Sequence, residues 1–532
     1  MKSTVLKALG AALILMMLAS CAPAAMTNPA PAATQPPAQP TAVPATPTTA
    51  PALTTAKPYD VVWYQGCPWV SNALPDPDKD YIHQYILKNY NINLEIQFNA
   101  ACDDSKTIAM FSAGQIPDFF QAYWSVGTPA LLQLINQGVI LPIDLSQYPG
   151  MKNALSADAF KYLTVDGKVY GFAPINDPTQ YTSYIRQDWL DKLNLKAPTT
   201  PDEVTAVAKA FVASNKGAYA LTSFISNGNP WTGLESFFAP FGFQPGTTDL
   251  MIQDNKVYFP GLSDNAKAGL MWFKQLLDAG CVDPGWSTNT EDVFQTEIGS
   301  GKVGMVTYYF YMLDPLFFDI GKMVADKNPN ANWQWVDPLT GPAGKYMMVV
   351  PYANGTGNAF FVTQQAKSEP GKYEALMKFL DDAINVNSDL YKTMVWGEPN
   401  VTYWTDASGT VIKHSYGANN NEYLWMDNYR LFRTGNAQYR EVSWGVTNKD
   451  MVTGFTRADT LPVDYSVRGL VPALSSQSDL DTYVAEEQLK FVTGQESFDN
   501  WGKFVTTAMT TYKGQAILDD ATAKLKAIGM IH

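Results

Sequence analysis

Strand-like and helix-like segments alternate three times between residues 59 and 137. The segments 59–65, 93–99 and 118–123 have the apolar and aromatic character of strands, and 78–90, 105–113 and 128–137 have helical periodicity. Strands joined by helices pair in parallel through right-handed crossovers. Ligands of such sheets bind beyond the carboxyl ends of the strands, which here are 65–69, 99–103 and 121–125. The alternation therefore predicts an α/β fold and the edge at which its site lies.

The remainder of the chain is too long for one ordinary domain. A second α/β unit begins near Pro174, with predicted strands at 182–186 and 304–309, and a helix is predicted to start at Thr200 in the sequence TTPDE. Residues 479–528 are predicted to be helical. These patterns predict a first lobe that starts with 59–173, a second lobe at 174–354, and a segment 355–532 that returns to the first lobe and adds further segments and C-terminal helices.

The N-terminus has the pattern of an export signal. Lys2 and Lys7 precede an apolar stretch, 8–18, that is too short to cross a bilayer of roughly 30 Å. Residues 1–20 are therefore predicted to be a signal peptide. The stretch Leu18-Ala19-Ser20-Cys21 resembles the lipobox of bacterial lipoproteins, in which the cysteine is lipidated. An ordinary secretory leader with a chance cysteine is the alternative.

The segment that follows Cys21 cannot build a core. Residues 22–56 contain no charged or aromatic side chain and are largely Ala, Pro and Thr. Such a composition predicts a semi-extended tether, here residues 21–58. Together with two acyl chains on Cys21, the tether predicts an extracytoplasmic protein held at the cell membrane.

Charge and composition exclude several classes of function. The formal net charge is −13 and no basic run is present, so the chain is a poor candidate for nucleic-acid binding. The chain has three histidines, no CxxC motif and therefore no zinc-ligand spacing. The run Asp76-Pro-Asp78-Lys-Asp80 lacks the glycine of a calcium loop and is interpreted as acids beside a helix N-terminus. No metal and no cofactor are predicted.

A disulfide is predicted between Cys67 and Cys102. Both cysteines directly follow strands that should be neighbours about 4.8 Å apart, which suits disulfide geometry, and export permits oxidation. The alternative is a pair of free, partly buried thiols. Cys281, at a predicted helix end, is expected to be unpaired and buried.

Five motifs in order resemble a known family. They are SAGQIPDFF (112–120), DGKVYGFAP (166–174), YIRQDWLDKLNLKAPTTPDE (184–203), GLMWFKQLLDAGCVDP (269–284) and SGKVGM (300–305). The body is similar to the extracellular solute-binding proteins of family 1, the lipid-anchored receptors of ABC importers for sugars and oligosaccharides. The resemblance implies a two-lobe periplasmic-binding-protein-like fold with hinge crossings, a saccharide ligand, a permease with its ATPase as partner, a monomer and no catalysis. Calcium-binding relatives carry an acidic loop where this chain reads AFVASNKGAYAL (210–221), so no calcium is expected there.

A sugar site needs flat aromatic faces for the C–H face of the ring and polar side chains for its hydroxyl groups. Position at strand ends, and in the family's motifs, predicts these ligand-binding residues: Gln65, Trp69, Gln121, Tyr123, Trp124, Arg186, Trp231, Tyr308, Tyr309, Tyr311, Trp396 and Glu398. Tyr403 is a further aromatic candidate beside the last two. Arg186 could instead pair with an acidic neighbour, whereas a bidentate arginine in the cleft would suit an acidic sugar. Asp118 is interpreted as a structural acid.

Two other functions stay open at the level of sequence. A surface glycoside hydrolase needs only two carboxylates, and the chain has fifty acidic residues. An oligopeptide-binding lipoprotein would have a similar length. The ordered motifs and the lack of a (β/α)8 pattern favour the sugar receptor.

Overall fold

The structure is a computed structural model. It describes residues 57–65, 73–98, 104–122, 129–154, 160, 163–173, 181–226, 228–313, 319–351, 359–405, 407, 411–413, 420–429, 453–454, 456–457, 460–471, 477–527 and 529–532. Within this part of the chain, no helix combines the length and the hydropathy needed to cross a membrane.

The described strands and helices alternate along much of the chain. The strands are β1 (Tyr59–Gln65), β2 (Ile92–Phe98), β3 (Phe119–Ala122), β4 (Thr164–Val165), β5 (Lys168–Val169), β6 (Tyr181–Arg186), β7 (Phe224–Ser226), β8 (Asn229–Thr232), β9 (Met251–Gln253), β10 (Lys256–Tyr258), β11 (Met305–Tyr309), β12 (Trp333–Val336), β13 (Thr340–Gly341), β14 (Gly344–Lys345), β15 (Met348–Pro351), β16 (Ala359–Val362), β17 (Tyr403–Thr405), β18 (Val411–Lys413) and β19 (Val463–Ser466). The α-helices are α1 (Tyr81–Tyr90), α2 (Asp104–Ser112), α3 (Pro129–Asn136), α4 (Pro149–Ala154), α5 (Gln187–Leu193), α6 (Pro201–Ser214), α7 (Glu235–Phe238), α8 (Asp264–Asp278), α9 (Glu291–Gly299), α10 (Asp319–Lys327), α11 (Lys372–Ile384), α12 (Asp389–Trp396), α13 (Gln477–Thr493), α14 (Trp501–Thr510) and α15 (Gly514–Ala527).

The first sheet has the strand order β16-β3-β1-β2. β1 runs parallel to both β2 and β3, which confirms the parallel sheet predicted from the alternation of strands and helices. β16 runs antiparallel to β3 and forms one edge, so the chain returns to this sheet after the second unit. The core on one face packs Trp63 against Phe119, with ring centroids 5.6 Å apart, and α1 and α11 cover it.

The second sheet has the order β11-β6-β12, and its central strand is antiparallel to both neighbours. Its large core contains side chains from α6 and α8 together with Val484, Phe504 and Ile517 of the C-terminal helices. The side chain of Gln488 in α13 accepts a hydrogen bond from the Gly246 N–H at 2.8 Å and donates one to the Gly261 carbonyl at 3.0 Å. The three C-terminal helices therefore complete the core of the second sheet.

Local signals in the sequence fix the helix starts. Thr200 caps α6 by accepting a hydrogen bond from the Glu203 N–H at 3.3 Å, as the TTPDE motif predicts. The Glu203 carboxylate accepts from the N–H of Thr199, at 2.7 Å, one residue before the expected position. Asp80 caps α1 through the N–H groups of Ile82 and His83, which confirms the interpretation of that acidic run.

Candidate functional site

Two glutamines lie at the carboxyl end of the first sheet. The register pairs Tyr64 of β1 with Phe120 of β3, so Gln65 and Gln121 occupy the next positions on adjacent parallel strands. Both side chains are buried, with Gln65 at 0% exposure. No described residue makes a hydrogen bond to either atom of the Gln65 amide. A buried amide without a partner costs roughly 1–3 kcal/mol, so this position is suited to a ligand that supplies a donor and an acceptor.

Three tyrosines stack at the corresponding end of the second sheet. Tyr309 is the last residue of β11 and pairs with Tyr181, the first residue of β6. The rings of Tyr181 and Tyr309 are stacked with centroids 4.6 Å apart at 28°, and Tyr311 follows at 5.2 Å and 31° from Tyr309. All three side chains are half-buried. This tyrosine stack offers flat aromatic surface of the kind that packs against a sugar ring.

Tyr308 was expected in the site but lies behind it, in the core. Its side chain is fully buried, its hydroxyl donates to the Glu291 carboxylate, and it accepts a hydrogen bond from the Gln295 amide at 3.1 Å. The Tyr308 ring packs edge-on against the Tyr309 ring, with centroids 4.9 Å apart at 74°. Tyr308 therefore packs against the tyrosine stack from the core and has no exposed face for a ligand.

Glu235, at the first position of α7, was not selected from the sequence. Its side chain is buried, and its Oε2 accepts a hydrogen bond from the Gly233 N–H at 2.8 Å. Burial raises the pKa of Glu235 to about 7. Glu235 lies on α7, which contacts β11, and its charge contributes, after burial and the neighbouring Tyr309, to the raised pKa of Tyr181. Neither Glu235 nor Tyr181 stands out in the sequence, since α7 and β11 are brought together only by tertiary packing.

The Glu235 carboxyl should make stability depend on pH in a defined direction. The unfolded chain releases this proton near the ordinary pKa of 4.5, whereas the native protein keeps it up to about pH 7. Unfolding therefore releases a proton between these values, and native stability falls as pH rises through this window. We expect Glu235→Gln to be more stable than the wild type at pH 8, by as much as about 3 kcal/mol, and to differ little at pH 4.

Thermal melts of both proteins across this pH range measure the effect. Glu203→Gln is the control of opposite sign, since hydrogen bonds from Thr199 lower the pKa of Glu203. That variant should be less stable than the wild type at pH 8. A difference between Glu235→Gln and the wild type that is constant from pH 4 to pH 8 would contradict the prediction.

Arg186 forms an ion pair with its neighbour Asp188. Its Nε and Nη2 donate to the two carboxylate oxygens of Asp188, at 2.8 and 2.5 Å. The guanidinium lies over the rings of Trp189 and Trp333, 4.6 and 5.7 Å from their centroids. With 5% exposure, the side chain is part of the second lobe's interior. Of the two interpretations of Arg186, the pairing with an acid is the one observed.

Two tryptophans predicted as ligand platforms lie in cores. Trp231 is 0% exposed and packs against Phe238, Phe273 and Trp286, with the Trp286 centroid 4.8 Å away. Trp396 is 8% exposed and packs against Tyr403 at 5.3 Å. The prediction that Trp231 and Trp396 present free faces was therefore wrong, because a position after a strand or helix does not fix how deeply a ring is buried.

Asp118 and Lys372 form a buried ion pair at the amino end of β3 in the first sheet. Lys372 Nζ lies 2.7 Å from Asp118 Oδ1, and both side chains are less than 5% exposed. The other Asp118 oxygen accepts from the Val62 N–H at 2.8 Å. Asp118 is thus a structural acid, as expected, and it ties α11 to β1.

The structure tests some of the remaining predictions about single residues and leaves others untested. Glu398 is half-buried, and its place in a ligand site stays a prediction. Cys281 is buried and unpaired, as predicted. Among the described residues, no group of three His, Cys, Asp or Glu side chains could hold a metal ion. The predictions for Cys21, Cys67, Trp69, Cys102, Tyr123 and Trp124 concern residues outside those described.

Comparison with known proteins identifies the same class of protein as the five sequence motifs, the solute-binding proteins. Residues 81–383 match the family model described as bacterial extracellular solute-binding protein, which is more than half of the chain. The polygalacturonan/rhamnogalacturonan-binding protein YtcQ of Bacillus subtilis is 25% identical over 333 residues, which are 62% of this chain and 64% of that protein. The fructooligosaccharide ABC transporter substrate-binding protein FusA of Streptococcus pneumoniae is 27% identical over 229 residues, 39% of this chain and 42% of that one. The chain thus matches less than two thirds of the length of either relative.

The fold of this chain is also found in solved structures of other proteins. The crystal structure of the alginate-binding protein AlgQ2 without calcium superposes with a TM-score of 0.62 at 19% identity, covering 89% of this chain and 99% of that one. At this identity the likeness concerns the fold, and it confirms the two-lobe periplasmic-binding-protein-like architecture expected from the sequence. The chain therefore belongs to the family of bacterial extracellular solute-binding proteins.

Proposed function

We propose that this protein is an extracytoplasmic receptor that captures a saccharide between its two lobes and delivers it to an ABC permease. The observation that carries the proposal is the tyrosine stack at the carboxyl end of β11. Three half-buried tyrosines present aromatic faces together with phenol groups, and the two together suit a sugar ring with its hydroxyl rim. At the first sheet, the buried amide of Gln65 supplies the donor and acceptor that sugar hydroxyls would satisfy.

The comparisons support the same class of ligand. YtcQ and FusA are named for the polysaccharides and oligosaccharides that they bind, and FusA is named as part of an ABC transporter. We propose that the present chain likewise works as a monomeric binding protein without catalytic turnover. The lobe limits that we propose are 59–173 and the return after 355 for the first lobe, and 174–354 for the second, to whose core the C-terminal helices add.

We propose that Cys21 carries the lipid that holds the receptor at the cell membrane. The lipobox-like stretch before Cys21 and the uncharged tether after it support this anchor. A tether of this length, at about 3.1 Å per residue, would let the folded body reach on the order of 100 Å from the membrane.

Removing one ring of the tyrosine stack tests the proposal. We expect Tyr309→Ala to weaken saccharide binding by about 1–3 kcal/mol, because the ring contributes stacking area that alanine lacks. Calorimetry with a panel of oligosaccharides, on protein whose melting temperature is first confirmed, measures the loss. Tyr512→Ala is the matched control, since Tyr512 stacks on Tyr483 in the C-terminal helices with centroids 4.2 Å apart. It should leave the affinity unchanged.

The same panel separates the other functions. Equal affinity in Tyr309→Ala and the wild type would remove the tyrosine stack from the site. Binding of a peptide pool with no saccharide bound would favour an oligopeptide receptor. Degradation of a panel member by the purified protein would favour a glycoside hydrolase.

A further inference from the structure

We propose that Glu291 and Gln295 of α9 are positioning residues for the proposed saccharide site, which they hold in shape through the hydroxyl group of Tyr308. This inference rests on the proposed function and adds two residues to the site that the function requires. Neither side chain belongs to the tyrosine stack, but both bind the buried ring that packs against it.

The Tyr308 ring contacts the two stacked rings that come from the second sheet. It packs edge-on against Tyr309, with centroids 4.9 Å apart at 74°, and against Tyr181, at 6.4 Å and 71°. It also packs against Phe294 of α9, with centroids 5.1 Å apart, and against Phe224 of β7, at 6.1 Å. Edge-to-face contacts of this kind are favourable for aromatic pairs. The position of the Tyr308 ring therefore sets the surface against which both stacked rings pack.

The hydroxyl group of Tyr308 is bound to α9 both as a donor and as an acceptor. It donates a hydrogen bond to Glu291 Oε1, and it accepts one from the Gln295 amide at 3.1 Å. Burial, and then the hydrogen bond to Glu291, raise the pKa of Tyr308, so the hydroxyl group stays protonated and remains a donor. Glu291, Gln295 and Tyr308 thus form an α9 clamp that fixes the ring at its hydroxyl end.

The helix that carries the clamp is itself held firmly. The Thr290 hydroxyl caps α9 by accepting a backbone hydrogen bond at 3.3 Å. Phe294 and Ile298 are buried in the core that covers one face of the second sheet. Glu291 and Gln295 lie one turn apart on the same face of this helix, so both can reach one hydroxyl group.

The stack gains from such a clamp because its rings stand at strand ends. Tyr309 is the last residue of β11, Tyr181 is the first residue of β6, and both are half-buried. A ring that becomes ordered only when a sugar arrives loses binding free energy to its own immobilisation, whereas a ring that is already fixed does not. The α9 clamp therefore raises affinity by fixing the stack beforehand, with no need for Glu291 to touch the sugar.

Ring dynamics in the ligand-free protein test the clamp directly. In protein with ¹³C-labelled tyrosine rings, the NMR signals of Tyr309 are those that disappear in Tyr309→Phe. We expect Tyr308→Phe, which removes both clamp hydrogen bonds and keeps the ring, to raise the ring-flip rate of Tyr309 by about threefold or more. Tyr90→Phe is the matched control, because Tyr90 donates to the Asp382 carboxylate at 2.8 Å between α1 and α11. It should leave this rate unchanged.

Calorimetry shows whether the clamp serves binding. The probes are fructo-, manno-, gluco- and xylo-oligosaccharides and oligogalacturonate. For each probe that binds the wild type, Tyr308→Phe and Glu291→Ala should bind about threefold to tenfold more weakly at a temperature where both are folded. Glu291→Gln should stay within about twofold of the wild type, because its amide oxygen still accepts from Tyr308. Asp292→Ala, which removes the next carboxylate of α9, should also bind like the wild type.

Three outcomes would overturn the inference. The first is an unchanged ring-flip rate of Tyr309 in Tyr308→Phe, and the second is a faster ring flip with unchanged affinity, since the stack would then bind sugar without the clamp. The third is an equal loss in Glu291→Gln and Glu291→Ala, which would assign the effect to charge and not to the hydrogen bond. If no probe binds the wild type, the proposed function fails, whereas the ring-flip rates still decide whether the α9 clamp fixes Tyr309.

Discussion

Replacing Lys372 with alanine should lower the free energy of unfolding by about 3–5 kcal/mol. The substitution leaves the Asp118 carboxylate buried next to β1 without its ammonium partner, which was 2.7 Å away. It also removes the aliphatic stem of a side chain that is only 4% exposed. Urea denaturation of the two proteins gives the difference directly.

The same helix provides a matched control. Lys378 pairs with Asp382 at the same distance of 2.7 Å, but its side chain is 68% exposed. Lys378→Ala should therefore change stability by no more than about 0.5 kcal/mol. An effect of Lys372→Ala as small as that of Lys378→Ala would show that burial of this ion pair does not contribute to stability. The double variant Asp118→Asn, Lys372→Met should recover part of the loss, because no unpaired charge remains.

Replacing Trp231 with alanine should cost about 3–5 kcal/mol of stability and leave saccharide affinity unchanged in the folded protein. The indole fills the centre of an aromatic cluster and is fully buried, so its removal leaves a cavity among Phe238, Phe273 and Trp286. A melting curve and a calorimetric titration below the melting temperature measure the two effects separately.

Trp404→Ala is the control for Trp231→Ala. The Trp404 side chain is 40% exposed, so the loss of stability should stay within about 0.5 kcal/mol. A Trp231→Ala protein that melted like the wild type and lost its ligand would return this residue to the binding site. The contrast with Tyr309→Ala, for which reduced affinity with an unchanged fold is expected, separates the core from the site.

Much of the first sheet could be predicted from short segments of sequence. The bounds of β1 are those predicted, and β2 and β3 differ from the prediction by one residue at each end. Strand and helix periodicity are local properties, and parallel pairing follows from the helical connections. The antiparallel edge strand β16 could not be assigned a position in this way, because its neighbour β3 is far away in the sequence.

The site was predictable only in part. Position at the end of β11 selected Tyr309 and Tyr311, which are half-buried, but the same reasoning selected Tyr308 and Trp231, which are buried. A strand end specifies a region of the fold, whereas the direction of one side chain depends on the packing of both faces. Tyr181 was missed because its ring meets Tyr309 only through the pairing of β6 with β11.

The sequence by itself determined the local elements and their chemistry. Thr200 and Asp80 cap their helices with groups that lie within three residues, and the partner of Arg186 is two residues away. Tertiary structure alone decided the contacts between distant segments: the pairing of Lys372 with Asp118, the return of β16 to the first sheet, and the packing of α13–α15 into the core of the second. The physical reason is that an apolar or charged side chain specifies only that it must be covered or paired. Which distant group does so depends on the closure of the whole chain.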